Sequence, residues 1–158
     1  MVAFQLLNSM DITFIKEKQF SIVGTTQPLS DGVARPFTIV AILTENQIED
    51  NLYERKVVTV GNKTIHTTVV EDITYKQYVL ELGLAITSPA DLETATPEQG
   101  IAIAKGKARK VKSQLLQLTT NTKGYFTKAE IERILAEQAR RVSYNPEKFV
   151  KISPKAKS

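Results

Sequence analysis

Apolar and polar residues alternate along roughly the first seventy positions of the chain in the manner of β-strands. Ile12 and Phe14, and then Phe20 and Ile22, recur at a period of two, and the polar segment between the two pairs is consistent with a hairpin connection. Residues 37–43 form a nearly continuous apolar run, which is typical of a buried central strand. Residues 1–70 are therefore predicted to be mainly strands of an antiparallel sheet.

The clearest local signal is a pair of β-branched runs separated by Gly61-Asn62. This dipeptide predicts a two-residue hairpin turn, because glycine supplies the positive φ that the strand twist requires. One face of the hairpin carries Val58, Val60 and Ile65 and is expected to point toward the core. The predicted register places Val60 opposite Lys63, Val58 opposite Ile65, and Val57 opposite His66 as a half-exposed strand residue.

The apolar period changes in the next segment of the chain. Tyr75, Val79, Leu82 and Ile86 recur at spacings of four, three and four, which predicts a helix over residues 72–86. The Thr-Ser-Pro sequence that follows is expected to end it.

A second helical segment begins at a capping box. Thr96 is the expected N-cap, Pro97 occupies the first helical position, and Gln99 stands at the third. A seam of apolar residues at alternating three- and four-residue spacings extends this helix to about Thr119: Ile101, Ala104, Ala108, Val111, Leu115 and Leu118.

A third helix is predicted to start at another capping box, formed by Thr127 and Glu130, and to end near Ser143. Gly124 in the preceding connection is expected to reverse the chain, so residues 96–145 would form an antiparallel helical hairpin. The prediction is one α+β domain over 1–158. An antiparallel β-sheet in its N-terminal half is followed by the C-terminal antiparallel helical hairpin, and residues 150–158 form a basic, frayed tail.

Composition narrows the possible chemistry. The 158 residues include no cysteine and one histidine, which excludes disulfides, thiolate metal sites and most histidine-dependent catalysis. We expect neither a metal nor a cofactor, and we expect that the protein is not an enzyme. No segment is long and apolar enough for a membrane span, and the N-terminus lacks the basic region of a signal peptide.

Charge is divided unevenly along the chain. Residues 1–100 hold seven basic and thirteen acidic residues, whereas residues 101–158 hold fourteen basic and four acidic ones. The basic part either binds an anion or packs against the acidic part of the same chain or of a neighbouring subunit. For the first alternative, the candidate ligand-binding residues are Lys105, Arg109, Lys112, Arg140 and Arg141, because such side chains suit phosphate groups.

The stretch from Thr96 to Ala108, TPEQGIAIAKGKA, resembles a pattern found in small accessory proteins of tailed bacteriophages. The later stretches IERIL, from Ile131, and NPEKF, from Asn145, are similar to the ends of such proteins in crAss-like phages. The resemblance covers about a third of the chain, all in the C-terminal part. It implies a phage origin, with a location in the cytoplasm of an infected host or in the virion.

Three functions remain open from the sequence. The leading one is a non-enzymatic protein that binds an anionic ligand and sequesters a nucleotide immune signal, in the manner of an anti-defence protein. The alternatives are a structural or accessory protein of the phage particle that acts through oligomerisation, and non-specific nucleic-acid binding by the basic part. The expected partners are a second copy of the chain, a phosphate-bearing ligand or nucleic acid, and no membrane.

Overall fold

The computed structural model describes residues 11–121 and 126–150, and gives only the backbone at strand positions 11, 52–56, 67, 69, 70 and 121. Four antiparallel strands form one sheet in the order β1-β2-β3-β4, so each strand pairs with its neighbours in sequence. The strands are β1 (Asp11–Thr25), β2 (Pro36–Val60), β3 (Lys63–Ile86) and β4 (Leu116–Asn121), and the helices are α1 (Pro97–Ala108) and α2 (Lys128–Tyr144).

The two helices pack on opposite faces of this sheet. Alternate residues of β2 point to opposite faces, and the two sets contact different helices. The α2 core contains Phe37, Ile39, Ala41, Leu80, Leu82, Ile131, Ile134, Leu135 and Val142. The α1 core is smaller and contains Val40, Ile42, Ala85, Ala104 and Ala108.

The predicted antiparallel helical hairpin over residues 96–145 is therefore wrong, although the broader α+β class agrees with the structure. In space, the sheet separates α1 from α2. Along the chain, strand β4 follows α1 and precedes α2. The predicted turn at Gly124 and the predicted frayed tail over residues 150–158, apart from Val150, lie outside the described residues.

The predicted helix over residues 72–86 is also wrong, because this segment belongs to strand β3. Near its end β3 is covered on both faces, by α1 and by α2, so it carries apolar residues in succession instead of alternating with polar ones. Such a run satisfies a helical spacing by coincidence. Gly83 of β3 marks the close approach of α1, since a Cβ there would overlap the backbone of Ala104 and Ala108.

Helix α1 begins as predicted and ends eleven residues before the predicted Thr119. Thr96 and Gln99 form the expected capping box, with Gln99 N donating to Thr96 Oγ1 at 3.2 Å and Thr96 N donating to Gln99 Oε1 at 3.0 Å. The chain then turns into β4, in which Leu116 and Leu118 lie opposite Leu82 and Leu80. Leu118, which was predicted to lie on the apolar seam of the helix, is therefore a strand residue.

Helix α2 begins at the predicted N-cap, but the return bond of the predicted capping box, from Thr127 N to the Glu130 side chain, is not formed. Glu130 N donates to Thr127 Oγ1 at 3.1 Å, as expected for the predicted N-cap. Ile131, Ile134, Leu135 and Val142, which recur at helical spacings along one side of α2, are buried. No helix within 11–121 and 126–150 is both long and apolar enough to cross a membrane.

Strand β1 is continuous, so the predicted hairpin connection between Phe14 and Phe20 is wrong. The register of β1 against β2 shifts between Phe14 and Lys16, which marks a bulge at Ile15. Because of this bulge, Phe14 faces the α1 side of the sheet whereas Phe20 packs against the α2 core. The apolar residues of β1 that alternate with polar ones therefore lie on the α1 side before the bulge and on the α2 side after it.

The central hairpin is much longer than the rest of the sheet. Among the described residues, β1 pairs with β2 only as far as Glu49, and β4 pairs with β3 only as far as Gln77. Beyond these points β2 and β3 continue as a two-stranded ribbon over residues 50–73, which we call the β-arm. The ribbon extends from the body by about 35 Å, at roughly 3.4 Å per residue.

Candidate functional site

The predicted ligand-binding cations do not meet in one place. Lys105 lies in α1, Arg109 is its C-cap residue, and Lys112 follows in a short 3-10 turn, so all three are on the α1 side of the sheet. Arg140 and Arg141 lie in α2, on the other side. The sheet separates the two groups, and one small ligand does not span it.

Two of these cations already have protein partners. Arg109 Nη2 donates to both carboxylate oxygens of Glu17, at 2.8 and 2.9 Å. Arg141 Nη1 donates to Gln138 Oε1 at 2.9 Å, and its guanidinium lies 5.8 Å from the centroid of the Phe149 ring. Phe149 itself packs against the α2 core. The structure thus gives both arginines a structural role: Arg109 joins α1 to β1, and Arg141 covers the end of α2.

A buried carboxylate lies at the base of the β-arm. Glu45 is 5% exposed and forms ion pairs with Lys16 Nζ at 3.5 Å and with Lys76 Nζ at 3.3 Å. The hydroxyl of Tyr78 also donates to Glu45, at 3.2 Å. The sequence did not indicate this cluster, because its members come from three strands and Lys16 reaches its position through the bulge at Ile15.

Electrostatics explains why Glu45 stays ionised. Burial by itself raises the pKa of the Glu45 carboxyl, but hydrogen bonds from Lys76 and Tyr78 and the positive charges of Lys16 and Lys76 outweigh that effect. The net result is a pKa below the ordinary glutamate value. An ionised, triply partnered carboxylate is a poor general acid, so we interpret the cluster as a tie between β1, β2 and β3 where the β-arm leaves the body.

The tip of the β-arm has the predicted register and an unexpected environment. Val58 lies opposite Ile65 and Val57 opposite His66, and Gly61 has a φ of 63°, as the two-residue turn requires. The predicted burial of the Val58, Val60 and Ile65 face is wrong, since these side chains are 43%, 58% and 48% exposed. Nothing in the described part of the chain covers this apolar face.

A groove lies at the opposite end of β3, between the strand end, the 87–96 loop and α1. Its volume is about 540 Å³ and it opens to solvent. This volume falls within the roughly 300–1,000 Å³ of pockets that bind organic ligands. We call it the α1 groove, and its apolar lining consists of Ala85, Ile86, Ala95, Ala102 and Ile103.

The charges of the two regions are opposite in sign. Residues 55–68, which include the tip of the β-arm, contain Arg55, Lys56 and Lys63 and no acidic residue. Residues 87–100, which form the loop side of the groove and the start of α1, contain Asp91, Glu93 and Glu98 and no basic residue. The opposite charges of the two segments can be read from the sequence. That the basic segment lies on an exposed hairpin tip is visible only in the structure.

Within the described ranges, no cluster of three or more histidine, aspartate or glutamate residues is arranged to hold a metal ion. Comparison of the chain with known protein families, with curated proteins and with solved structures gives no match.

Proposed function

We propose that this chain is a non-enzymatic structural protein that acts through association of its copies, with the β-arm as the element that makes the contact. The observation that carries the proposal is the exposed apolar face of the arm. Its strands have the residue pattern of a sheet packed against a core, yet Val58, Val60 and Ile65 remain in contact with water.

Energetics supports an intermolecular partner for this face. A two-stranded hairpin alone is marginally stable in water, and a third strand or a packing surface is needed for lasting order. Removal of apolar surface from water contributes roughly 25 cal/mol per Å², so three aliphatic side chains gain several kcal/mol by burial. Contact with another molecule supplies this burial without disturbing the body.

The setting that we propose is a phage particle. It follows from the resemblance of the α1 segment and the two later C-terminal stretches to accessory proteins of tailed phages. A virion component with copies joined by extended arms needs no catalytic site. This proposal favours the oligomerisation alternative over nucleotide sequestration, because the five candidate cations lie on two sides of the sheet.

The proposal is tested by comparing the association of the full chain with that of a variant whose β-arm is shortened. Asp50 lies opposite Ile73, so replacement of residues 51–72 by Asn-Gly joins them through a two-residue hairpin turn and removes the tip. We expect the full chain to sediment as a concentration-dependent oligomer and the shortened chain to sediment as a monomer. Both chains should unfold at similar temperatures, since neither core contains an arm residue.

Native mass spectrometry of the full chain separates the remaining functions. A full chain that is monomeric at high concentration, or a shortened chain that associates as well as the full one, contradicts the proposal. A monomer that retains a phosphate-bearing small molecule supports sequestration instead. Binding to DNA or RNA that weakens steeply with salt and ignores sequence supports the nucleic-acid alternative.

A further inference from the structure

We propose that the tip of the β-arm of one copy docks into the α1 groove of a second copy, so that the chain assembles head to tail. This inference rests on the proposed function and specifies the surface that receives the arm. The two surfaces are at opposite ends of the same strand, because β3 begins beside the arm turn at Lys63 and reaches the groove at Ala85 and Ile86.

The arm cannot reach the groove of its own chain. About twenty-two strand residues separate Lys63 from Ala85, which corresponds to on the order of 70 Å at roughly 3.3 Å per residue. The strand between them is paired with β2 along its whole length, and the tip side chains Val58, Val60 and Ile65 stay exposed to solvent within their own chain. An occupant of the groove that comes from this arm must therefore belong to another copy.

The apolar surfaces complement each other. The arm presents Val58, Val60 and Ile65 on one face of a narrow ribbon, all of them exposed. The groove presents alanine side chains and Ile103, which is itself 53% exposed on the solvent side of α1. A protruding face of branched aliphatic side chains fits a channel lined by small residues, and both surfaces lose contact with water.

Charge complementarity selects this pairing among the possible apolar contacts. The tip segment 55–68 carries only basic residues and the loop segment 87–100 carries only acidic ones, and the charged residues that line the groove are Asp91 of the loop and Lys107 of α1. Lys63 flanks the arm turn, and Asp91 lines the groove. Opposite potentials bring the tip and the loop side of the groove together quickly, and they disfavour contact between two basic tips, which repel each other.

Each copy then has one arm and one groove, which makes the interface heterologous. Such an interface closes into a ring if the rotation between copies permits it and otherwise grows into a filament. An isologous dimer, with arm against arm, is the competing arrangement. The head-to-tail contact needs one arm and one groove, whereas the isologous dimer needs two arms. A mixture of variants that each lack one surface therefore distinguishes the two arrangements.

The experiment uses two variants that each lack one surface. The arm-shortened chain keeps its groove, and Ala102→Trp fills the groove but keeps the arm, since Ala102 is an exposed groove residue. We expect each variant alone to be monomeric in sedimentation velocity. A one-to-one mixture should form a dimer that grows no further, because the single intact arm enters the single intact groove.

Matched controls make the outcome unambiguous. Ala136→Trp adds the same side chain at an exposed position of α2 on the other side of the sheet, and it should associate as the unmodified chain does. Circular dichroism and thermal unfolding establish that every variant is folded. If Ala102→Trp associates like the unmodified chain while the shortened arm abolishes association, the groove is not the receiver, although the proposed function stands.

A charge exchange provides an independent second test. Lys63→Glu and Asp91→Lys should each weaken association by about tenfold, and the mixture of groove-blocked Lys63→Glu with arm-shortened Asp91→Lys should regain dimer formation to within about threefold. The groove-blocked and arm-shortened backgrounds ensure that only the exchanged pair forms. Failure of the exchanged pair to recover, with both chains folded, overturns the assignment of these two ends as partners.

Discussion

Gly83 shows how one residue permits the close packing of α1 on the sheet. Because it lacks a side chain, the backbone of α1 at Ala104 and Ala108 approaches the backbone of β3 directly. A glycine is unfavourable inside a predicted helix, but the sequence alone does not show what close approach it permits. Its role depends on a helix that follows later in the chain.

The substitution Gly83→Ala should lower the free energy of unfolding by about 1–3 kcal/mol, since the added methyl group forces α1 away from the sheet. Gly106→Ala is the matched control. An added Cβ at Gly106 meets no atom within 4 Å, so this change should raise stability by up to about 1 kcal/mol through helix propensity. Urea denaturation measures both, and equal effects of the two substitutions would contradict the packing argument.

Glu45 gives the molecule a pH-dependent element of stability. Its folded pKa is lowered, so the unfolded chain binds more protons than the folded chain between the two pKa values. The stabilisation is complete above the unfolded pKa and is lost as pH falls from about 5 through the folded pKa. Chemical denaturation across pH 3–7 should show this acid loss reduced in Glu45→Gln.

Glu49→Gln serves as the comparison for that pH series, because Glu49 is an exposed carboxylate on the same strand. It should retain the acid loss of the unmodified chain. Parallel pH profiles for Glu45→Gln and the unmodified chain would show that the buried cluster does not contribute. The expected difference between the variants is in the slope of the free energy of unfolding against pH. A loss of packing would lower this free energy at every pH and would leave the slope unchanged.

At the scale of elements, signals confined to a few adjacent residues were reliable. The capping box at Thr96, the N-cap at Thr127 and the hairpin register around Gly61 are all confirmed, because each depends on local backbone geometry and local hydrogen bonds. The segments predicted from apolar spacing failed where both faces were covered, as in β3. Leu118 of the predicted α1 seam lies in β4 instead, where it pairs with Leu80 of β3.

The β-arm should be the least protected long element in hydrogen exchange. Its backbone bonds lie in a two-stranded ribbon whose side chains at residues 57–66 are exposed, whereas residues 37–43 lie in a sheet covered by helices. In dilute solution, peptides over residues 57–66 should exchange at least about tenfold faster than peptides over residues 37–43. Exchange of the arm should slow when the concentration is raised until copies associate.

The peptides over residues 37–43 are the internal reference for that measurement. Their exchange should not change with protein concentration, because they are buried within each copy. Equal protection of arm and core in dilute, monomeric protein would mean that the arm is stable without a partner. The energetic argument for its association would then fail.

At the scale of the whole molecule, the sequence indicated that strands and two capped helices are present, but not on which face of the sheet each helix packs. Strands followed by two capped helices are equally compatible with a helical hairpin and with helices on opposite faces. The choice depends on which apolar side of β2 each helix covers, and Val40 and Ile39 are equally apolar. The candidate cations lie in two helical segments that follow each other in sequence, and the sequence does not show that the sheet separates these segments.

The continuity of β2 and β3 from the body into the arm has a mechanical consequence. Tension on the tip acts along both strands, parallel to the ladders that tie them to β1 and β4. The hydrogen bonds of antiparallel ladders lie perpendicular to the strands, so this load shears many of them at once instead of opening them one by one. A pulled copy should therefore resist extension until the outer strands slide together, and the weakest link in a chain of copies is the contact between them.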